Sequence, residues 1–140
     1  MASVSTSATA SPSILIIGAT GHIGGSVLAG LKELNLDARV TALARSEKDF
    51  QVITDIYPGV KCVVGSMNDL QTLEQESSKA DIVINTSPDV PYEAGIRVIL
   101  AALAVPRTPH RETFYIHTSG AANTWTEPTG QPSDRVWDDV

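Results

Sequence analysis

Gly18, Gly21 and Gly24 recur at three-residue intervals directly after the apolar run Ile14 to Ile17, and Gly25 follows at once. If the apolar run is a strand and the next residues open a helix, this spacing has a chemical use. Backbone N–H groups at a helix start converge on one point, and the positive end of the helix dipole favours an anion there. Gly18 would allow the tight turn, Gly21 would let backbone approach a phosphate with no Cβ in the way, and Gly24 would let helix and strand pack closely. Thr20, His22 and Ile23 stand between the glycines and belong to the same cradle. The chemistry expected is the binding of a pyrophosphate; the alternative is a ligand-free turn. The context decides between them, because a glycine motif has weight only inside a strand–turn–helix unit.

That context is present. Short apolar runs alternate with amphipathic stretches along the chain. Strands are predicted over 13–18, 38–44, 60–65, 81–87 and 112–120, with helices over 21–35, 46–57, 68–80 and 91–104. The second helix opens on Ser46-x-x-Asp49, a capping pattern, and stops at Pro58-Gly59. The third has an Asn or Asp cap with Leu70 and Leu73 facing inward. The fourth opens with Pro91 in its first turn, where the missing N–H costs nothing. Five strands joined by helices imply an α/β fold, a doubly wound parallel sheet of order 3-2-1-4-5. Ligands on such sheets lie beyond the carboxyl ends of the strands, beside the switch between strands 1 and 4.

Composition narrows the field. The 140 residues suit one domain, and 42% apolar with 19% charged residues suits a soluble globular one. A net charge of −6 argues against nucleic acid as a partner. No apolar run approaches the roughly 20 residues that cross a bilayer, so no membrane partner is expected. The Ser/Thr/Ala-rich residues 1–12 lack the features of a secretory or mitochondrial signal and read as a disordered tail on a cytoplasmic protein. The lone Cys62 reads as a buried spectator.

The segment Gly18-Ala19-Thr20-Gly21-His22-Ile23-Gly24 resembles the short-chain dehydrogenase/reductase superfamily. The likeness is to its extended and atypical branches, which include NAD-dependent epimerase/dehydratases, related carbonyl reductases and NmrA-like redox sensors. It runs from Ile14 to about Gly120 and implies a Rossmann domain over 13–120. After the second strand, Ala44 stands where an acid would accept adenosine ribose hydroxyls, and Arg45 follows with Ser46 beside it. A guanidinium there can bond a 2′-phosphate, so NADP is expected over NAD. After the third strand, "GSMNDL" resembles the family segment that lines the adenine, which implies Ser66 and Met67 as contacts. Met67 is equally readable as a core residue at the helix start. Asp69 would cap the next helix and Leu70 would begin its buried face.

After the fourth strand, the resemblance implies that Thr86, Ser87 and Pro88 pass the nicotinamide ribose. After the fifth, it makes Ser119, with Thr118 beside it, the residue that polarises a substrate carbonyl. His117 is expected to pack or bond locally. In the superfamily that serine works with a Tyr-x-x-x-Lys further along. Here the tyrosines are 57, 92 and 115, and no lysine follows Lys79. The polar stretch 121–140 resembles the loop that precedes the dyad-bearing helix. The expectation is therefore the amino-terminal cofactor-binding part of a longer reductase or epimerase/dehydratase, inactive alone, with the sheet incomplete at its carboxyl end and Trp125 and Trp137 as anchors for the remainder. A small-molecule substrate is expected for the full-length form; oligomeric state is open. The alternative is a non-catalytic NmrA-like regulator that senses NADP.

Overall fold

The structure is a computed structural model and describes residues 11–88, 92–107, 111–120 and 130. Strand β1 is Ser13–Ile17, and α1 follows at His22–Glu33. Strand β2 is Arg39–Ala44, succeeded by a short 3-10 turn at Glu47–Asp49 and α2 at Phe50–Ile56. Strand β3, Lys61–Val64, leads to α3 at Leu70–Ser77. Strand β4 is Ile82–Asn85, α4 is Glu93–Ala104, and β5 is Phe114–His117. The strands form one parallel sheet in the order β3-β2-β1-β4-β5. This is the doubly wound sheet that the sequence predicts.

The central strands are apolar on both faces because both faces are covered. Ile14 and Ile16 of β1, with Val40 and Ala42 of β2, meet Leu28 of α1 and Ile53 of α2. On the opposite face, Leu15, Ile17, Leu43 and Val83 meet Leu73 of α3 and Ile99 and Leu103 of α4. The chain therefore changes sides of the sheet on passing from β3 to β4. That reversal opens a crevice between β1 and β4 at their carboxyl ends.

At the other end of the sheet, Asp81 ties three elements together. Its carboxylate accepts from the Ser13 N–H and hydroxyl, each at 2.8 Å, and pairs with Arg107 at 3.2 Å and Arg111 at 2.9 Å. The start of β1, the end of the α4 connection and the approach to β5 are thus fixed on one buried acid. Burial raises the Asp81 pKa, but the Ser13 bonds and the two arginines outweigh it and hold the carboxyl below its ordinary value.

Several sequence expectations need correction. The predicted 46–57 helix divides into the 3-10 turn and α2, and Ser46 makes no bond to a helix N–H; its hydroxyl instead meets the Asp49 carboxylate at 3.3 Å. Leu70 does not face inward: it is 41% exposed, because it occupies the first position of α3 before that helix turns onto the sheet, whereas Leu73 is fully buried. Asp69 does cap α3, accepting from the Thr72 N–H at 3.1 Å. Bonds from the Thr72 hydroxyl and N–H lower its pKa. Cys62, expected to be buried, is only half-buried against the α1-side core, and that partial burial raises its thiol pKa. Pro91, Trp125 and Trp137 lie outside the described residues.

Candidate functional site

The carboxyl ends of β1, β2, β3 and β4 surround a cleft of about 550 Å³. Its floor begins where β1 gives way to α1. Gly18 takes φ +86°, a conformation that a side chain rarely adopts, and its carbonyl accepts from the Gly21 N–H at 2.9 Å to close the turn. A Cβ on Gly24 would lie 2.1 Å from the Gly18 oxygen, so only glycine lets α1 approach β1 this closely. Gly21 is exposed and forms the N-cap of α1 with no side-chain cap and no acid in the first turn. The helix start therefore faces the cleft with its N–H groups uncapped by any side chain.

Sequence-selected residues converge here from four strand ends. Gly18, Thr20 and Gly21 line the cleft with Arg45, with Ser66 and Met67, and with Thr86, Ser87 and Pro88. Arg45 is exposed. The Ser66 hydroxyl accepts from the Asn68 N–H at 3.3 Å, which shapes the turn into α3. Met67, 6% exposed, belongs to the α3/α4 core and also closes the base of the cleft. Thr86 lies behind the glycine turn and donates to the Ile17 carbonyl at 2.9 Å, locking β4 to β1.

Five candidates do not line the cleft. Gly24 lies beneath it as the packing contact just described, and His22 and Ile23 are exposed on the first turn of α1. Ser46 turns to Asp49. Ser119 is exposed, two residues beyond β5. His117 stacks on Tyr115, with ring centroids 5.8 Å apart, and its Nδ1 meets the Tyr115 hydroxyl at 3.2 Å, the local bonding expected of it.

Asn68 and Tyr92 also line the cleft, beside Ile17, Leu43, Ala44 and Gly65, and Asn85 underlies it; the sequence reading assigns none of them to the site. A polar residue closing the apolar run "DIVIN" is the signal that could have found Asn85. A second cavity of about 600 Å³ lies at the amino ends of the strands, among Ser13, Arg39, Lys61, Glu76 and Lys79, away from the glycine turn. Among the described residues, no cluster could hold a metal ion and no helix is long and apolar enough to cross a membrane.

A glycine turn, an uncapped helix start and a cleft at the sheet's switch point are the layout of a dinucleotide site. A family model decides which one: that of the NmrA-like family matches residues 10–122. The chain belongs to the NmrA-like family. It thereby carries an NAD(P)-binding Rossmann domain. It is similar to the oxidase ucsJ of an Acremonium species, 30% identical over 132 residues, 91% of this chain and 37% of that protein. In fold it is similar to a short-chain dehydrogenase/reductase of Veillonella parvula solved in complex with NADP, with a TM-score of 0.54, 24% identity, and coverage of 74% of this chain and 46% of that one. An isoflavone reductase gives a TM-score of 0.55 at 24% identity, covering 74% of this chain and 35% of that one. The NmrA-like chain thus spans less than half the length of each of these proteins.

The residues present fit such a cofactor. A Cβ on Gly21 would press on the Gly18 oxygen at 3.2 Å, so glycine keeps the turn tight where it lines the cleft. The cleft presents a cation, polar hydroxyls and an apolar base in one continuous wall.

Proposed function

We propose that this NmrA-like domain binds NADP in the β1–β4 cleft as the cofactor-binding part of an oxidoreductase acting on a carbonyl or alcohol. The observation that carries the reading is the convergence of Gly18, Thr20, Gly21, Arg45, Ser66, Met67, Thr86, Ser87 and Pro88 on one cleft from four separate strand ends. The α1 start and the glycine turn would take the pyrophosphate. Arg45 would bond the 2′-phosphate, and its charge is why NADP is preferred over NAD. Ser66 and Met67 would border the adenine, and Thr86, Ser87 and Pro88 the nicotinamide ribose. When bound, the cofactor supplies hydride transfer; the protein's own part is to hold and orient it.

Ser119 is the residue we assign to the substrate oxygen. It is exposed, two residues beyond β5, and does not line the cleft. Aldehydes, ketones and nucleotide-sugars fit this role equally. The oxidase relative and the reductases of like fold support an enzyme over a sensor. Arg45 within the segment ALARS suits the second reading, a non-catalytic NADP-sensing regulator.

Titration of NADPH and NADH by fluorescence tests the cofactor assignment. NADPH is expected to bind more tightly, and Arg45→Ala to weaken NADPH by about tenfold, with NADH changed little, since a charge-assisted bond is lost. Equal affinities that the substitution leaves unchanged would overturn the assignment of Arg45 to the 2′-phosphate.

A further inference from the structure

Asn85 is fully buried at the carboxyl end of β4, directly behind the cleft wall. Its amide orientation is fixed by a neighbour that can only donate: the Ser87 backbone N–H lies 3.0 Å from Oδ1. The Ser87 hydroxyl lies 2.6 Å from the same oxygen, and an oxygen already defined as an acceptor obliges that hydroxyl to give its proton. The other end of the amide donates from Nδ2 to the Tyr115 hydroxyl at 3.1 Å. Both ends of Asn85 are therefore engaged, and the amide cannot flip without placing Nδ2 against the Ser87 N–H.

The consequence falls on the cleft. Ser87 lines it, and with its only hydroxyl proton committed inward, Oγ has lone pairs alone to offer a ligand. Thr86, on the same lip, commits its hydroxyl proton to the Ile17 carbonyl. The β4 lip is thus an acceptor surface, while the α1 start across the cleft is a donor surface.

We propose that Asn85 is a positioning residue that makes Ser87 a hydrogen-bond acceptor, so that the β4 lip takes the hydroxyl or carboxamide N–H donors of the nicotinamide-riboside half and turns phosphate away. This polarity gives the dinucleotide its direction in the cleft, with phosphate at the glycine turn and nicotinamide riboside at β4. The inference rests on the NADP reading above and adds to it a residue that does not itself line the cleft.

The test uses the 140-residue chain and two probes measured by calorimetry: NADPH, and adenosine 2′,5′-bisphosphate, which has the 2′-phosphate end but no nicotinamide riboside. Asn85→Leu and Ser87→Ala should each weaken NADPH by about three- to tenfold, the worth of one neutral hydrogen bond. Both should leave the bisphosphate within about twofold of its wild-type affinity. Because the two residues act through one bond, the double variant should bind NADPH no more weakly than either single one. A role confined to folding would instead weaken both probes together. If Asn85→Leu does not fold, Ser87→Ala with the two probes still decides the matter. NADPH affinity unchanged in Ser87→Ala, equal weakening of both probes, or additive losses in the double variant would overturn the inference while the NADP reading stands. Wild-type protein that binds neither probe would overturn both.

Discussion

A single methyl group separates two uses of glycine in α1. At Gly24 a Cβ would lie 2.1 Å from the Gly18 oxygen and 2.6 Å from its carbonyl carbon, both backbone atoms that cannot rotate away. Gly24→Ala is therefore expected to cost about 3 kcal/mol in urea unfolding, the upper part of the overpacking range. At Gly30, in the same helix, a Cβ meets nothing within 4 Å. Gly30→Ala should stabilise the protein by about 0.5–1 kcal/mol through helix propensity and a less free unfolded chain. The G-x-x-G-x-x-G spacing suggested Gly24 from sequence, since close packing of helix on strand is the third glycine's use. Asn85 was not legible in the same way. Its role depends on Ser87 folding back over it and on Tyr115 arriving from the neighbouring strand, and no local pattern encodes either.

The strands and helices were readable because both faces of the sheet are covered, so the strands are continuous apolar runs and the helices carry one apolar stripe each. Their ends were less readable. Ser46-x-x-Asp49 has the residue types of a cap, yet the two side chains bond each other and the segment tightens into a 3-10 turn. Leu70 has the spacing of a core residue, but it opens α3 and stays exposed, whereas Leu73, nearly one turn on, is fully buried.

Element-level stability also has an electrostatic part, centred on Asp81. Since Asp81 is held below its ordinary carboxylate pKa, its ionised form is the one the fold favours. Its contribution is fully present above its unfolded pKa of about 3.9 and is lost as pH falls through the lower folded value. Asp81→Asn is expected to cost about 3 kcal/mol at neutral pH, near the lower end for breaking a buried ion pair, because its two arginines are partly exposed. The deficit should shrink as the pH of urea unfolding is taken from about 7 toward about 2, where wild-type Asp81 is protonated as well. A deficit independent of pH would assign the loss to packing rather than to charge.

At the scale of the molecule, the sheet is covered unevenly. On the α1 side, the outermost strand presents Phe114 and Ile116, 52% and 54% exposed, beside the half-buried Ile82 and Ile84 of β4. Exposed apolar groups on an edge strand promote association with other surfaces. Replacing Phe114 and Ile116 by threonine should lower the binding of a hydrophobic dye and concentration-dependent light scattering, with stability changed by less than about 0.5 kcal/mol per site. For the 140-residue chain itself, without a Tyr-x-x-x-Lys, we expect NADPH binding but no NADPH oxidation with aldehydes or ketones. Clear turnover in an absorbance assay would show that the chemistry needs no such pair.

The sequence by itself determined the strand–helix alternation, the sheet order, the glycine turn and the residues that follow each strand. All of these follow from local periodicity and from the fixed place of ligands at a parallel sheet's switch point. The tertiary structure decided what needs distant segments to meet. It brought four strand ends into one cleft, left Ser46 and Ser119 out of its wall, buried Met67 in the core while keeping it at the cleft base, and set the proton of Ser87 through Asn85. The physical reason is the range of the interactions. Periodicity is read over a few residues, whereas the direction of a hydrogen bond depends on whichever donor or acceptor the fold carries to it from elsewhere in the chain.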